Sequence, residues 1–148
     1  RLLAAAGQKT DAIFHAAAVS DFGFGKVYTH DSNGKLIPIT GKKISTRAGH
    51  LFAELVPTPK IIAKLRTAFP QTCIVGWKYE VDGERPDVLL KAEQQIHDNH
   101  SDGCVANGPA YGFGFGLVDA TRRHQHLTDT DQLFAALEEL ALAKARTS

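Results

Sequence analysis

Two short apolar runs constrain this chain most: CIVGW at residues 73–77 and GCVA at residues 103–106. Each is too short for a helix and is bounded by polar or turn residues, so each reads as a strand buried on both faces. Between them Pro86 opens a segment in which Val88, Leu89, Ala92 and Ile96 recur at helical spacing. Strand, amphipathic helix, strand is the unit of a parallel sheet with a crossover helix. The alternation extends upstream. Residues 12–19 (AIFHAAAV) read as another buried strand ending at Ser20-Asp21, and residues 51–56 as a short one. Pro57-Thr58-Pro59 then reads as a helix start, with Thr58 as N-cap and Pro59 at the first helical position. Ile61, Ile62, Leu65, Ala68 and Phe69 supply that helix's apolar face, and Pro70 closes it.

The rest of the chain fits around this frame. Residues 1–8 read as the end of a helix with Gly7 near its stop, which looks like the middle of an α/β unit with upstream sequence missing. Between Asp21 and Thr46 lies a long glycine-rich excursion with an SNG hairpin signal, expected to form a β-ribbon flap. After the glycine-aromatic YGFGFG, residues 117–127 read as one or two strands. Residues 130–146 read as a final helix with Leu133, Phe134, Leu137, Leu140 and Ala141 on one face. The expected fold is a Rossmann-like open, mostly parallel α/β sheet with flanking helices, the 148 residues forming one domain.

Composition excludes several classes. Seventeen basic against sixteen acidic side chains leave a net charge of +1, with no basic footprint for nucleic acid. No apolar run reaches the roughly 18 residues of a membrane span. Cys73 and Cys104, both in apolar runs, read as buried thiols of a reduced, cytoplasmic protein. His97-x-x-His100 and His124-x-His126 lack a third ligand at metal-site spacing, so no protein metal site is expected. FGFGK and YGFGFG lack the strand–turn–helix context of a dinucleotide fingerprint. No nucleophile elbow exists, and neither cysteine has cationic sequence neighbours.

What is left is a set of groups at strand ends, where open α/β sheets bind ligands. Asp21 could accept from ribose hydroxyls or hold a hydrated magnesium ion. Lys42 and Lys43 could reach phosphates, and the amides opening the Pro59 helix could face a phosphate or a base. Trp77 could cover a base, and Asn107 could orient a substrate by donating and accepting together. Each also has an ordinary structural role open to it. By pattern alone the ligand is a nucleotide or phosphate.

HAAAVSDF, KKIS, VPTPKII, VGWKYE and CVAN, in that order, resemble the phosphopantothenoylcysteine synthetase family, which is also the C-terminal half of bifunctional coenzyme A flavoproteins. The resemblance runs from about residue 11 to residue 142. It implies a cytoplasmic ligase that joins 4'-phosphopantothenate to cysteine, using ATP or CTP with Mg2+, and a homodimer. Carried over by motif, Ala16, Ala17 and Asp21 would line the nucleotide site, and Lys43 would contact the triphosphate from a flap. Val56, Pro57, Thr58 and Pro59 would give backbone contacts. Trp77 stands where members have phenylalanine, Lys78 lies beside it, and Asn107 ends the Ala-Asn strand. Lys43 and Asn107 would be the catalytic pair. Gln95 and Asn99 stand where CTP-using members carry lysines, and Lys78 where they often have a small residue, which is closer to the ATP-using pattern. The family's upstream half, with its glycine-rich first turn, has no counterpart here. HAAAVSD is also similar to short-chain NADP-dependent reductases, but no tyrosine here is followed by lysine four residues on. A non-catalytic nucleotide-binding relative is the third reading.

Overall fold

The structure, a computed structural model, describes residues 10–17, 20–40 and 49–147. The expected helix end at residues 1–8, Ala18, Val19, Lys42 and Lys43 lie outside the described residues. In chain order the elements are β1 (Ala12–His15), β2 (Phe22–His30), β3 (Leu36–Pro38), β4 (Phe52–Pro57), α1 (Ile62–Ala68), β5 (Cys73–Tyr79), α2 (Arg85–Asn99), β6 (Gly103–Asn107), β7 (Phe115–Asp119), β8 (His124–Leu127) and α3 (Thr130–Thr147). They fall into two compact units, Arg1–Ala17 with Ile61–Ser148, and Ala18–Lys60.

The larger unit holds a five-stranded sheet in the order β1-β5-β6-β7-β8. Its β1/β5 and β5/β6 pairs are parallel, while β6/β7 and β7/β8 are antiparallel. The sheet is therefore mixed, not mostly parallel. The reason is connection length. A parallel crossover needs a dozen or more residues, whereas only residues 108–114 separate β6 from β7 and only 120–123 separate β7 from β8.

Alternation along the strands builds two cores. Cys73, Val75 and Val105 pack with Leu117 and Leu127 against Leu133, Ala136 and Leu137 of α3. On the other face Ile74 meets Ile62, Leu65 and Phe69, and Cys104, Ala106 and Val118 meet Val88, Ala92 and Ile96 of α2. Fully burying each such side chain contributes roughly 1.5–3 kcal/mol. Phe134 does not share this burial: it is 63% exposed. The buried stripe runs through 133, 136 and 137, with Leu140 partly buried beside it, and residue 134 stands about 100° round the helix from 133.

Helix α1 begins later than its sequence signals indicate. Ile61 occupies the cap position without a side-chain cap bond. Thr58 is occupied otherwise, its amide donating to Asp21 O (2.8 Å) and its hydroxyl to Ser20 O (2.6 Å). Thr58 is thus no N-cap, and Pro59 opens no helix. The strand expected at 51–56 is β4, and it belongs to the smaller unit, an antiparallel sheet ordered β3-β2-β4. This is the β-ribbon the glycine-rich excursion pointed to. Its β2–β3 turn is held by the Asp31 carboxylate, which accepts from the amides of Asn33 and Lys35, with Gly34 at φ +80°.

One ion cluster ties the amino ends of the central strands to the helices. Asp102 accepts from Arg66 (2.6 Å) and from the Ile74 amide (2.8 Å), and its other oxygen lies 3.1 Å from the Lys144 ammonium. Arg66 also donates to the carbonyls of Phe69, Pro70, Thr72 and His100. Asp102→Ala would strand both the guanidinium and the Ile74 amide. Breaking one partner of such a largely buried pair costs about 3 kcal/mol. Urea unfolding should show that loss with an unchanged m-value; a loss below about 1 kcal/mol would contradict the role given to the cluster.

Candidate functional site

In parallel strands, register partners share a face. Trp77 pairs with Val105, Lys78 with Ala106 and Tyr79 with Asn107. Trp77, Tyr79 and Asn107 therefore stand on the α3 side of the sheet at its carboxyl end. Lys78 stands on the α2 side, where its ammonium lies 3.2 Å from Glu80. Of the residues singled out in the VGWKYE and CVAN motifs, Trp77 and Asn107 come together and Lys78 does not join them. Ala16 and Ala17, just past β1, are exposed at the same end of the sheet.

Gly76 answers part of why a glycine interrupts β5. A Cβ there would lie 2.8 Å from Ile62 Cδ1 and 3.0 Å from Gln95 Nε2, so α1 and α2 close over this point. Gln95 also accepts from the Cys104 thiol (3.1 Å), and Asn99 Nδ2 donates to the Gln95 carbonyl. Both side chains are spent on packing in the second half of α2, which runs toward the amino ends of the strands. They give no ground for choosing between nucleotides.

The end of β5 is clasped to the end of β6. Glu80 N donates to Asn107 O (3.0 Å), and Ala110 N donates to Glu80 O (3.1 Å). Gly108, at φ +110°, lies so close that a Cβ would drive into the Glu80 carbonyl oxygen and stand 2.9 Å from its nitrogen. The Glu80 carboxylate in turn holds Lys91 of α2 (2.5 Å) and Lys78. Its pKa is lowered, first by the Lys91 hydrogen bond. Within this clasp the Asn107 Oδ1 is closed off from solvent and accepts no hydrogen bond among the described residues. Leaving such an oxygen unpaired costs about 1–3 kcal/mol.

The following loop is fixed from below. Tyr111 is buried, with its amide donating to Gly108 O and its hydroxyl 2.9 Å from His126 Nδ1. The Arg85 guanidinium lies 4.6 Å from the Tyr111 ring centroid and donates to Tyr111 O. Neither Glu80 nor Tyr111 was singled out by sequence reasoning. The only available signal for Glu80 was its place in the strand-end motif.

In the smaller unit, two distant motif segments meet. Asp21 and Thr58 share a backbone bond, and β2 and β4 pair Phe22 with Pro57 and Gly23 with Val56. Asp21, Val56, Pro57, Thr58 and Pro59 are thereby gathered at one end of that sheet. The histidine pairs gather no third ligand among the described residues. Burial pushes the Cys73 thiol up to about 11 and that of Cys104 to about 12, so neither is a ready nucleophile. Two clefts lie by Asp119, which pairs with Gly103 at the opposite end of the sheet from Asn107.

Gly108→Ala should cost more than about 1–2 kcal/mol, because φ is unfavourable and the Glu80 backbone blocks the methyl. A melting temperature equal to that of the unchanged protein would refute the clasp. Acid titration offers a second check. With its folded-state pKa lowered, Glu80 contributes stability above its unfolded pKa of about 4.3, and that contribution fades as pH falls through the folded value. Glu80→Gln should remove about 0.5–1 kcal/mol at pH 7 and flatten the loss below pH 4.5; an unaltered acid limb would contradict this.

No family model matches the chain. Over 103 residues, 68% of its length, it is 33% identical to the coenzyme A biosynthesis bifunctional protein CoaBC of Thermococcus kodakarensis, and spans 22% of that protein. The DNA/pantothenate metabolism flavoprotein from Streptococcus pneumoniae superposes with TM-score 0.75 at 18% identity, covering 96% of this chain and 66% of that one. The C-terminal domain of a coenzyme A biosynthesis bifunctional protein CoaBC gives 0.60 at 14% identity, covering 99% and 59%. A Cab2 mutant in complex with phosphopantothenate-cysteine gives 0.55 at 20% identity, covering 88% and 43%. The chain carries the α/β fold of phosphopantothenoylcysteine synthetase-like, CoaBC-like proteins.

Proposed function

We propose that the chain is the C-terminal portion of a phosphopantothenate–cysteine ligase domain. It would join 4'-phosphopantothenate to cysteine with activation by ATP or CTP. The observation that carries this reading is Asn107. Among the described residues its side-chain oxygen is buried without a partner, at the carboxyl end of a parallel strand pair, where α/β sheets receive ligands. The meeting of Asp21 with the 56–59 segment adds support, since both belong to motifs shared with the synthetase family.

The chemistry suits the residues. The substrate carboxylate attacks phosphorus of the nucleotide and displaces pyrophosphate (attack at the α-phosphorus) or the nucleoside diphosphate (attack at the γ-phosphorus). The cysteine amine then attacks the activated carbonyl and loses a proton, forming an amide as the nucleoside monophosphate or phosphate leaves. Charge collects on phosphate oxygens, so positioned cations and hydrogen-bond donors matter more than a protein nucleophile. Both thiols are accordingly silent. Lys43 would meet the triphosphate, and the Asn107 amide would turn to bind the reacting group once a ligand supplies a partner. Ala16, Ala17, Asp21, Val56, Pro57, Thr58, Pro59 and Trp77 would line the nucleotide. Lys78, on the α2 side, would act at the edge of that site through its ion pair with Glu80. Mg2+ would enter on the triphosphate, as part of the substrate. A homodimer in the cytoplasm is the expected assembly and place; no described helix is long and apolar enough to cross a membrane.

The test is cysteine-dependent release of pyrophosphate or phosphate by the intact protein supplied with phosphopantothenate and either nucleotide. Asn107→Ala should lower the rate about 100-fold, the typical cost of removing one transition-state hydrogen bond. Absence of cysteine-dependent release with both nucleotides would refute the ligase.

A further inference from the structure

Tyr111 is held more closely than burial of a ring requires. Its side chain is buried on the α2 face of the sheet, in the cluster that contains Val88, Ala92, Ala106 and Val118. Ala106, Gly116 and His126 are register partners across β6, β7 and β8, and such partners share a face. The Tyr111 ring lies along that row. A Cβ at Gly116 would stand 2.7 Å from Tyr111 Cε2, so the ring fits only because β7 carries a glycine there. Beyond Gly116 the hydroxyl reaches His126 Nδ1 at 2.9 Å. From the helix side, the Arg85 guanidinium lies 4.6 Å from the ring centroid, and its Nε donates to Tyr111 O at 2.8 Å.

The row ends one residue short of Asn107. Successive strand residues face opposite ways, so Ala106 belongs to the Tyr111 cluster while Asn107 faces the α3 side. The loop after β6 therefore crosses the end of the sheet from one face to the other. Gly108 O accepts from the amides of Tyr111 (3.0 Å) and Gly112 (3.1 Å), so a shift of Tyr111 is passed to the residue that follows Asn107. Gly108 has no room to absorb that shift toward Glu80, whose backbone already occupies the space of a Cβ. A phenylalanine would fill the same volume as Tyr111. The hydroxyl, which needs a partner once buried, adds a bond to β8 that fixes the ring along the row.

We infer that Tyr111, held by His126, is a positioning residue for Asn107: it sets the end of β6 from the opposite face of the sheet, so that the Asn107 amide meets the reacting group. This rests on the ligase reading above and adds two residues that neither the motifs nor the resemblance assigns. Tyr111 acts through Asn107 and not on the substrate.

The intact protein is compared with its Tyr111→Phe, His126→Ala and Asn107→Ala variants and with the Tyr111→Phe/Asn107→Ala double variant. Each is assayed for cysteine-dependent release of pyrophosphate or phosphate with phosphopantothenate and ATP or CTP, and circular dichroism checks that it is folded. Tyr111→Phe keeps the ring, and His126→Ala removes only its exposed partner, so both variants should fold. Each should lower kcat about tenfold, less than the roughly 100-fold that a 1 Å misplacement costs, with KM within about twofold of the unchanged protein. In the Asn107→Ala background, Tyr111→Phe should lower the rate no further, because the two residues act as one unit. An unchanged kcat in either single variant, even with a lowered melting temperature, overturns the positioning role. So does a raised KM with kcat kept, or a further tenfold fall in the Asn107→Ala background. All three results leave the ligase reading intact. Absence of cysteine-dependent release by the unchanged protein overturns that reading and the positioning role together.

Discussion

The close passage of Gly108 under Glu80 is the constraint on which the candidate site depends. Two backbone hydrogen bonds join Glu80 to Asn107 and Ala110, and they form only because residue 108 has no side chain. That contact sets the height at which β6 ends and turns the chain into the loop carrying Tyr111 and Phe113. Glu80 then reaches α2 through its carboxylate, so the strand end, the loop and the crossover helix are bonded to one another. Among the described residues the Asn107 amide oxygen has no partner inside this tightly bonded corner, a cost of about 1–3 kcal/mol.

The reversal after β6 has a functional consequence as well as a topological one. Because β7 runs back and β8 forward again, the β6–β7 loop and the start of α3 come to the same end of the sheet as the ends of β5 and β6. A wholly parallel sheet would have given this end only strand-to-helix turns. The mixed sheet adds a glycine-rich loop whose buried tyrosine fixes it to His126 and Arg85. The opposite end is built differently. There Asp102, Arg66 and Lys144 bind strands to helices through charge, with the groups paired to one another and to backbone carbonyls.

Much of this was legible in the sequence because burial on both sheet faces leaves continuous apolar runs. Residues 73–77 and 103–106 could hardly be anything else, and α2 follows from its periodicity. In the antiparallel half the strands were expected at residues 117–127, but their direction was not legible. FGLVD and HQHL carry less apolar signal, and the Asp119 turn between them has no glycine, relying on the Asp119 carboxylate to hold the amides of Thr121 and Arg123 with Arg122 at φ +64°. The start of α1 was misplaced because Thr58 has two uses for its polar groups, and pairing with Ser20 and Asp21 won over capping. At the site, residue types pointed to Trp77 and Asn107, but the face each occupies needed the register. One residue of difference puts Lys78 on the far side of the sheet. Glu80 escaped notice since its role is carried mainly by its backbone, which no side-chain pattern encodes.

The central claim is that the protein binds a nucleoside triphosphate, and the most direct test is its melting temperature with ATP, CTP or NADPH, each with magnesium. A ligand that binds only the folded state must raise that temperature, with stabilisation of about 2.7 kcal/mol at a hundred times its dissociation constant. The account predicts a rise with ATP or CTP and none with NADPH. A rise with NADPH alone, or with none of the three, would contradict it.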